Sequence, residues 1–555
     1  MRLSSSSRHP DAKTGFLARR TRPLMLAIVA LLLGGVLPMA STADVARAVV
    51  PFTPAPCPIA PIEGLTIDCG YLTVAESRRN YTGKTIDLAV AIMRSPNPNK
   101  APDPAVFLQG GPGGPTLALA PLLALTYTPT LLQRDIILMD QRGTGYSRPK
   151  LDCALTVQSV QGRALPAGLL ESDLPDFIQA QVDQLVGCGL AYRAAGVDLS
   201  AYNSVENAAD YEDLRLALGY GPWNVIGASY GTRLALTMLR YRPETLRSVV
   251  LDSTYPLQAN FHVDVFSSYN GTLQRLAAEC AADAACNRAY PDLLATFDRV
   301  YEQLNSNPAQ VPIIDPQTEE IITYLPISGV TFSTVIFQLF YSTPIISLMP
   351  LLIGETGNGN YAPLGVLLGL LLTGESNPDP GATQALGMLT AVQCNEDAPF
   401  ASREDFVAAR DQNRRAAALA FQVPFNEGFL DVCAGIGLNN PDPAENAPVV
   451  SDRPIMIISG TNDPITPPSY AQETAATLSN SYIVSYPRGG HAPSIDSPCL
   501  AEGVAAFIAD PAARPDPSAC IAQEAPLPFL TPARRSQPWA RLLATVRSVE
   551  SFQLR

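Results

Sequence analysis

The chain has 555 residues, of which 47% are hydrophobic and 16% charged, with a formal net charge of −13. That length and composition describe a protein with a large buried core and exclude a disordered or fibrous chain. The negative charge, with no run of Lys and Arg interleaved with aromatics in the body of the chain, argues against nucleic acid as a partner.

At the N-terminus Arg19, Arg20 and Arg22 precede the uncharged run PLMLAIVALLLGGVLPMA, and small residues follow in STADVARA. This order predicts a signal peptide over residues 1–48, cleaved after Ala43 or Ala48, and hence an exported protein, periplasmic or extracellular. An uncleaved leader would instead anchor the chain, because its apolar run is nearly long enough to span a bilayer. With the leader removed, no stable membrane span is expected. Ten cysteines follow, none in a C-x-x-C pair, and an even number in an exported chain favours disulfides over metal or redox chemistry. Neighbours along the chain are the expected partners: Cys57 with Cys69, Cys153 with Cys188, Cys280 with Cys286, Cys394 with Cys433, and Cys499 with Cys520.

Residues 49–256 carry the β-rich runs GYLTVAES, TIDLAVAIMRS, AVFLQ, DIILMD, WNVIGAS and LRSVVLDS. Helical patterns separate the later runs, as in NSVENAADYEDLRLALGY, where Asn203 and Ser204 are candidate N-caps. DIILMD and NVIGAS are continuously apolar, as strands of a parallel sheet covered on both faces should be. From 257 to 447 the pattern turns helical, with long apolar stretches such as VTFSTVIFQLFYSTPIISLMPLLIG. Pro344, Pro350 and Gln338 within it predict a buried or pocket-lining helical lid rather than membrane spans. Strand patterns return with PIMIISG and SYIVSYP in 448–510, and 511–555 reads as a surface tail rich in Pro and Arg. The expected class is therefore α/β: a mostly parallel sheet with helices on both faces and an inserted helical lid.

Ser229 lies in VIGASYGTR, directly after an apolar strand and before a helical pattern. Small residues at Gly227 and Gly231 allow the sharp strand–turn–helix that lifts a nucleophilic serine into the open. A serine nucleophile needs a base, and only two histidines follow the leader, His262 and His491. His491, in YPRGGHAPS after a predicted strand, is the expected base. Asp463, in PIMIISGTNDPITPP, supplies an acid between serine and histidine, the chain order this arrangement requires. Oxyanion donors are expected from the amide of Tyr230 and from the loop FLQGGPGGP at Gly110 and Gly111, since Pro112 has no N–H to give. That loop lacks the Gly-Lys-Ser/Thr of a phosphate cradle.

These motifs resemble the α/β-hydrolase serine peptidases that include proline iminopeptidases and secreted tripeptidyl aminopeptidases. The resemblance rests on GGPGG at Gly110–Gly114, DQRGTGYS at Asp140–Ser147, GASYGT at Gly227–Thr232, GTNDPITP at Gly460–Pro467 and GGH ending at His491, and it covers about half the chain. Where iminopeptidases often carry His before the Gly-Gly-Pro-Gly loop, this chain has Gln109. The resemblance implies an exopeptidase whose lid carries a carboxylate for the free N-terminal ammonium of a peptide substrate. In AVQCNEDAPF the expected amine anchor is Glu396, with Asp397 beside it. It implies no cofactor, and no metal-ligand spacing is present. The α/β-hydrolase fold with this triad also serves carboxylesterases and lipases, and an inactive hydrolase fold used for binding is a third reading. Oligomeric state is not legible.

Overall fold

Side chains alternate between the two faces of a strand, so a strand is apolar at every position only when both faces are covered. The computed structural model describes residues 50–531 apart from 154–158, 161–162, 165–167, 374–379 and 440. The expected leader and residues 532–555 of the expected tail lie outside the described residues. Nine of the described strands form one sheet: β1 (Phe52–Pro54), β2 (Ile67–Ala75), β3 (Thr85–Met93), β4 (Ala105–Leu108), β5 (Ile136–Met139), β6 (Trp223–Ala228), β7 (Leu246–Asp252), β8 (Ile455–Gly460) and β9 (Ser481–Tyr486). Their order is β1-β2-β3-β5-β4-β6-β7-β8-β9. The pairs from β1 through β2 and β3 to β5 are antiparallel, and every pair from β5 through to β9 is parallel.

Val106 and Leu108 of β4 and Val225 of β6 share one core layer with Leu214, Leu234 and Leu239 of the helices Ser204–Ala217 and Tyr230–Tyr241. Phe107 and Ile226 share the opposite layer with Tyr127 and with Leu500 and Phe507 of the helix Pro498–Ala509. Both faces are thus covered, which is why β4, β5, β6 and β8 are buried at every residue. The helix Tyr230–Tyr241 approaches β4 so closely that a Cβ on Gly231 would lie 2.0 Å from the carbonyl oxygen of Leu108.

Between β7 and β8 the chain is mostly helical and has its own core, including Phe266, Leu276, Phe297, Phe332, Ile336 and Leu352. The apolar stretch predicted to be helical breaks into Gly329–Leu339, Thr343–Ile346 and Met349–Gly357, with Pro344 and Pro350 in first turns, where a missing N–H costs nothing. No helix among the described residues is long and apolar enough to cross a membrane. Contrary to a purely helical segment, Ala309–Ile314 and Ile321–Ile327 form an antiparallel hairpin whose Val311 and Ile313 join this core. The helix Leu174–Ala194, expected with the sheet, shares a core with the helices Leu386–Glu396 and Gly428–Gly435.

Five disulfides join Cys57–Cys69, Cys153–Cys188, Cys280–Cys286, Cys394–Cys433 and Cys499–Cys520. The last of these corrects the expected surface tail over its described part. Cys520 lies in the helix Ser518–Glu524, Ile521 and Phe529 are buried, and the Arg488 guanidinium sits 3.7 Å from the Phe529 ring centroid.

Gly231→Ala tests the helix–strand approach. With the Leu108 carbonyl, rather than a movable side chain, against the added methyl, the substitution is expected to cost about 2–4 kcal/mol in denaturant unfolding. Unchanged stability would contradict the packing described.

Candidate active site

In open α/β sheets, ligands bind beyond the carboxyl ends of the strands, near the point where strand order reverses. Here β4 and β6 are adjacent, Leu108 pairs with Gly227, and the loops that leave these two ends meet. Ser229 follows β6 with φ 57° and ψ −125°, outside the regions a non-glycine residue ordinarily occupies, and opens the helix Tyr230–Tyr241. Its amide donates to the carbonyl of Asp252 at 3.0 Å. From the β4 loop, Gly110 lies against it: a Cβ there would be 2.7 Å from Ser229 Cβ and 3.2 Å from Oγ. Gly111 has φ 118°, and the loop is braced where the Ala385 amide donates to Gly113 O at 2.9 Å and Gln384 Nε2 to Pro112 O at 3.1 Å.

Asp463 follows β8 and is fully buried. Its Oδ1 accepts the amides of Ile465 and Thr466 at 3.0 and 2.9 Å. Its Oδ2 meets Thr466 Oγ1 at 2.6 Å, Ser253 Oγ at 2.8 Å and His491 Nδ1 at 2.8 Å. Burial pushes this carboxyl up, but the facing His491 and the Thr466 donors outweigh it and leave it below its ordinary range. An ionised carboxylate only accepts, so Nδ1 carries the imidazole proton and Nε2 is left as the basic nitrogen. The His491 ring also packs edge-on to Tyr341 at 4.9 Å. Ala492, the next residue, has φ 53°.

No hydrogen bond among the described residues links His262, Glu396 or Asp397 to the Asp463–His491 pair. His262 is fully buried, donates Nδ1–H to Pro424 O at 2.5 Å and stacks on Phe429, and burial pushes it down to about 3. It is a neutral packing residue. Glu396 corrects the expectation of an amine anchor: it is 1% exposed, and both its oxygens are already engaged. Ser204 donates its amide to Oε1 and its hydroxyl to Oε2, and Arg233 Nε reaches Oε2 at 3.3 Å. Asp397, also buried, accepts from the Tyr255 hydroxyl, lies 3.5 Å from the neutral His262 ring and stands in the field of the Arg233 guanidinium, to which it makes no hydrogen bond. Beside it, Asn260 donates to its carbonyl at 3.1 Å and lines an open depression of about 330 Å³ with Asp264 and Phe400.

Ser253, Thr466, Arg233 and Asp252 were not expected in the site. Asp252 is fully buried, its Oδ2 accepts the Ser494 amide at 3.0 Å, and its Oδ1 has no hydrogen-bond partner among the described residues. Only Thr466 carried a sequence signal, as part of the Asn-Asp-Pro-x-Thr turn. Among the described residues no three His, Cys, Asp or Glu side chains come together as metal ligands would.

Residues 103–311 match the family described as alpha/beta hydrolase fold, and residues 418–520 match the TAP-like protein family. The chain therefore has the α/β-hydrolase fold, with a TAP-like part toward its C-terminus. It is 24% identical over 438 residues to serine protease Hip1 of Mycobacterium tuberculosis, a match covering 75% of this chain and 80% of that protein. Over 192 residues it is 29% identical to a tripeptidyl aminopeptidase of Streptomyces coelicolor, covering 34% of this chain and 35% of that one. Over 182 residues it is 26% identical to a proline iminopeptidase of Neisseria meningitidis, covering 33% and 38%. All three of these relatives carry peptidase names.

Burial is the largest cause that pushes Asp252 and Glu445 up to about 7 and Asp397 up to about 6. Folded, these groups hold protons that the unfolded chain releases above about pH 4. Their contribution to stability is complete below that pH and is lost as pH rises through about 6 to 7. The melting temperature is accordingly expected to be higher at about pH 5 than at about pH 8. The reverse order would mean that these carboxylates are ionised in the folded protein.

Proposed function

We propose that this protein is an exported serine exopeptidase that removes N-terminal units from peptides through an acyl-enzyme. The observation that carries the reading is the hydrogen-bonded Asp463–His491 pair at the same sheet edge as Ser229, whose backbone is held in a strained turn. In this mechanism His491 Nε2 takes the Ser229 proton as Oγ attacks the scissile carbonyl, while Asp463 holds Nδ1–H and steadies the imidazolium. The amides of Tyr230, Gly110 and Gly111 receive the oxyanion. His491 then protonates the leaving amine, and a water activated by the same nitrogen releases the acyl group. The helical segment between β7 and β8 acts as the cover over this site. Disulfides throughout the described residues favour export.

Recognition of the substrate's free amine falls to Asp397 rather than Glu396. Asp397 lies in the field of the Arg233 guanidinium but makes no hydrogen bond to it, so it has more to gain from an incoming ammonium than Glu396, which is already paired with Arg233. The names of the tripeptidyl aminopeptidase and proline iminopeptidase relatives favour the same reading over an esterase that uses the same triad.

Ser229→Ala and His491→Ala are each expected to lower turnover by about three orders of magnitude or more, while His262→Ala mainly destabilises the fold. Active Ser229→Ala protein would end the triad assignment. With chromogenic amides and esters, amino termini free or blocked, Asp397→Asn should raise KM about tenfold or more for free-amine substrates alone. Glu396→Gln removes the carboxylate hydrogen-bonded to the buried Arg233, and should instead cost about 3 kcal/mol of stability with similar kinetics on both substrate types. Equal activity on blocked and free substrates would favour the esterase.

A further inference from the structure

The three loops that carry Ser229, Asp463 and His491 converge on the two residues at the end of β7. Asp252 accepts the Ser229 amide on its carbonyl at 3.0 Å and the Ser494 amide, from the His491 loop, on its carboxylate at 3.0 Å. Ser253 donates its amide to Ile458 O of β8 at 3.0 Å. Its hydroxyl donates to Asp463 Oδ2 at 2.8 Å and accepts from the amide of Ala492 at 2.7 Å. Ser253 is 1% exposed and has φ 60°, a conformation that glycine would adopt without strain. A side chain kept there against that cost points to work done by the hydroxyl.

We propose that Ser253 is a positioning residue of the triad, whose hydroxyl holds the Asp463 carboxylate and the His491 loop in register. The proposal rests on the reading of Ser229, Asp463 and His491 as the catalytic groups. The fully buried hydroxyl has one donor and one acceptor engaged, each on a different catalytic loop. The same Oδ2 that takes its proton also takes the His491 Nδ1–H, so the two donors fix the carboxylate plane from two directions. Asp252, the last residue of β7, and Arg275, on the helix Phe261–Ala282, are the other charged groups whose fields reach the pair.

The test compares Ser253→Gly with Ser253→Ala. Glycine relieves the left-handed backbone and alanine does not, while both remove the hydroxyl, so Ser253→Gly should melt at a higher temperature than Ser253→Ala. If the hydroxyl positions the triad, both should nevertheless lose about ten- to a hundredfold in kcat with KM little changed. A carboxylate stripped of one donor holds the imidazolium more firmly, so the acid limb of kcat/KM should move up by about half a pH unit or more in both variants. A Ser253→Gly enzyme with wild-type kcat and an unshifted acid limb would overturn the proposal, because relief of strain alone would then account for the site. Ser229→Ala separates the two claims. If it is inactive while Ser253→Gly matches wild type, only the positioning role falls; if it stays active, the triad and the positioning role fall together.

Discussion

The buried carboxylate of Asp463 is the constraint on which the site depends. A charge with no exposure is tolerated only when its lone pairs are filled, and here five donors fill them: two amides of its own turn, Thr466 Oγ1, Ser253 Oγ and His491 Nδ1. Two of the five come from other segments of the chain, so the ion cannot be satisfied unless β7, β8 and the loop after β9 stand in register. Parallel pairing supplies that register, with Ile458 opposite Asp252 and Val484 opposite Ile458. The sheet core and the catalytic geometry are thus one constraint seen at two scales.

A second buried ionic group lies one helical turn beyond Ser229. Arg233, one turn into the helix after Ser229, is 1% exposed and gives its guanidinium to Glu396, to the carbonyls of Pro256, Leu257 and Glu445, and to the face of Tyr255. Glu396 in turn accepts from Ser204 at the start of another helix, and the Ser204 hydroxyl meets Tyr230 Oη at 2.8 Å. This network ties the segment between β7 and β8 to the helix that follows Ser229. An arginine at this point fixes where that segment sits more than it stabilises the chain, since a buried pair repays little beyond its own desolvation.

The sheet was legible because apolar runs bounded by turn residues mark strands, and because Gly-x-Ser-x-Gly between strand and helix has one mechanical use. The pairing of Asp463 with His491 was legible from scarcity and position: only two histidines follow residue 48, and strand ends are where side chains can reach a site. The cysteine pairs followed from short separations along the chain. The hairpin within the helical segment was hidden because VPIID and IITYLP resemble buried helix fragments as much as strands. Glu396 was misread because adjacent acids look alike in sequence, and only the distant Arg233 and Ser204 decide which of them is already paired. Ser253 carried no signal at all, since a serine after a strand is common and its backbone angle is a property of the folded loop.

The central claim, that Ser229 is a nucleophile activated by His491, is tested most directly by reacting the folded protein with a fluorophosphonate and mapping the adduct by peptide mass spectrometry. The account predicts one adduct, on Ser229, forming rapidly in the wild type and far more slowly in His491→Ala. Stoichiometric labelling of a different residue, or equal labelling of Ser229 with and without His491, would contradict it.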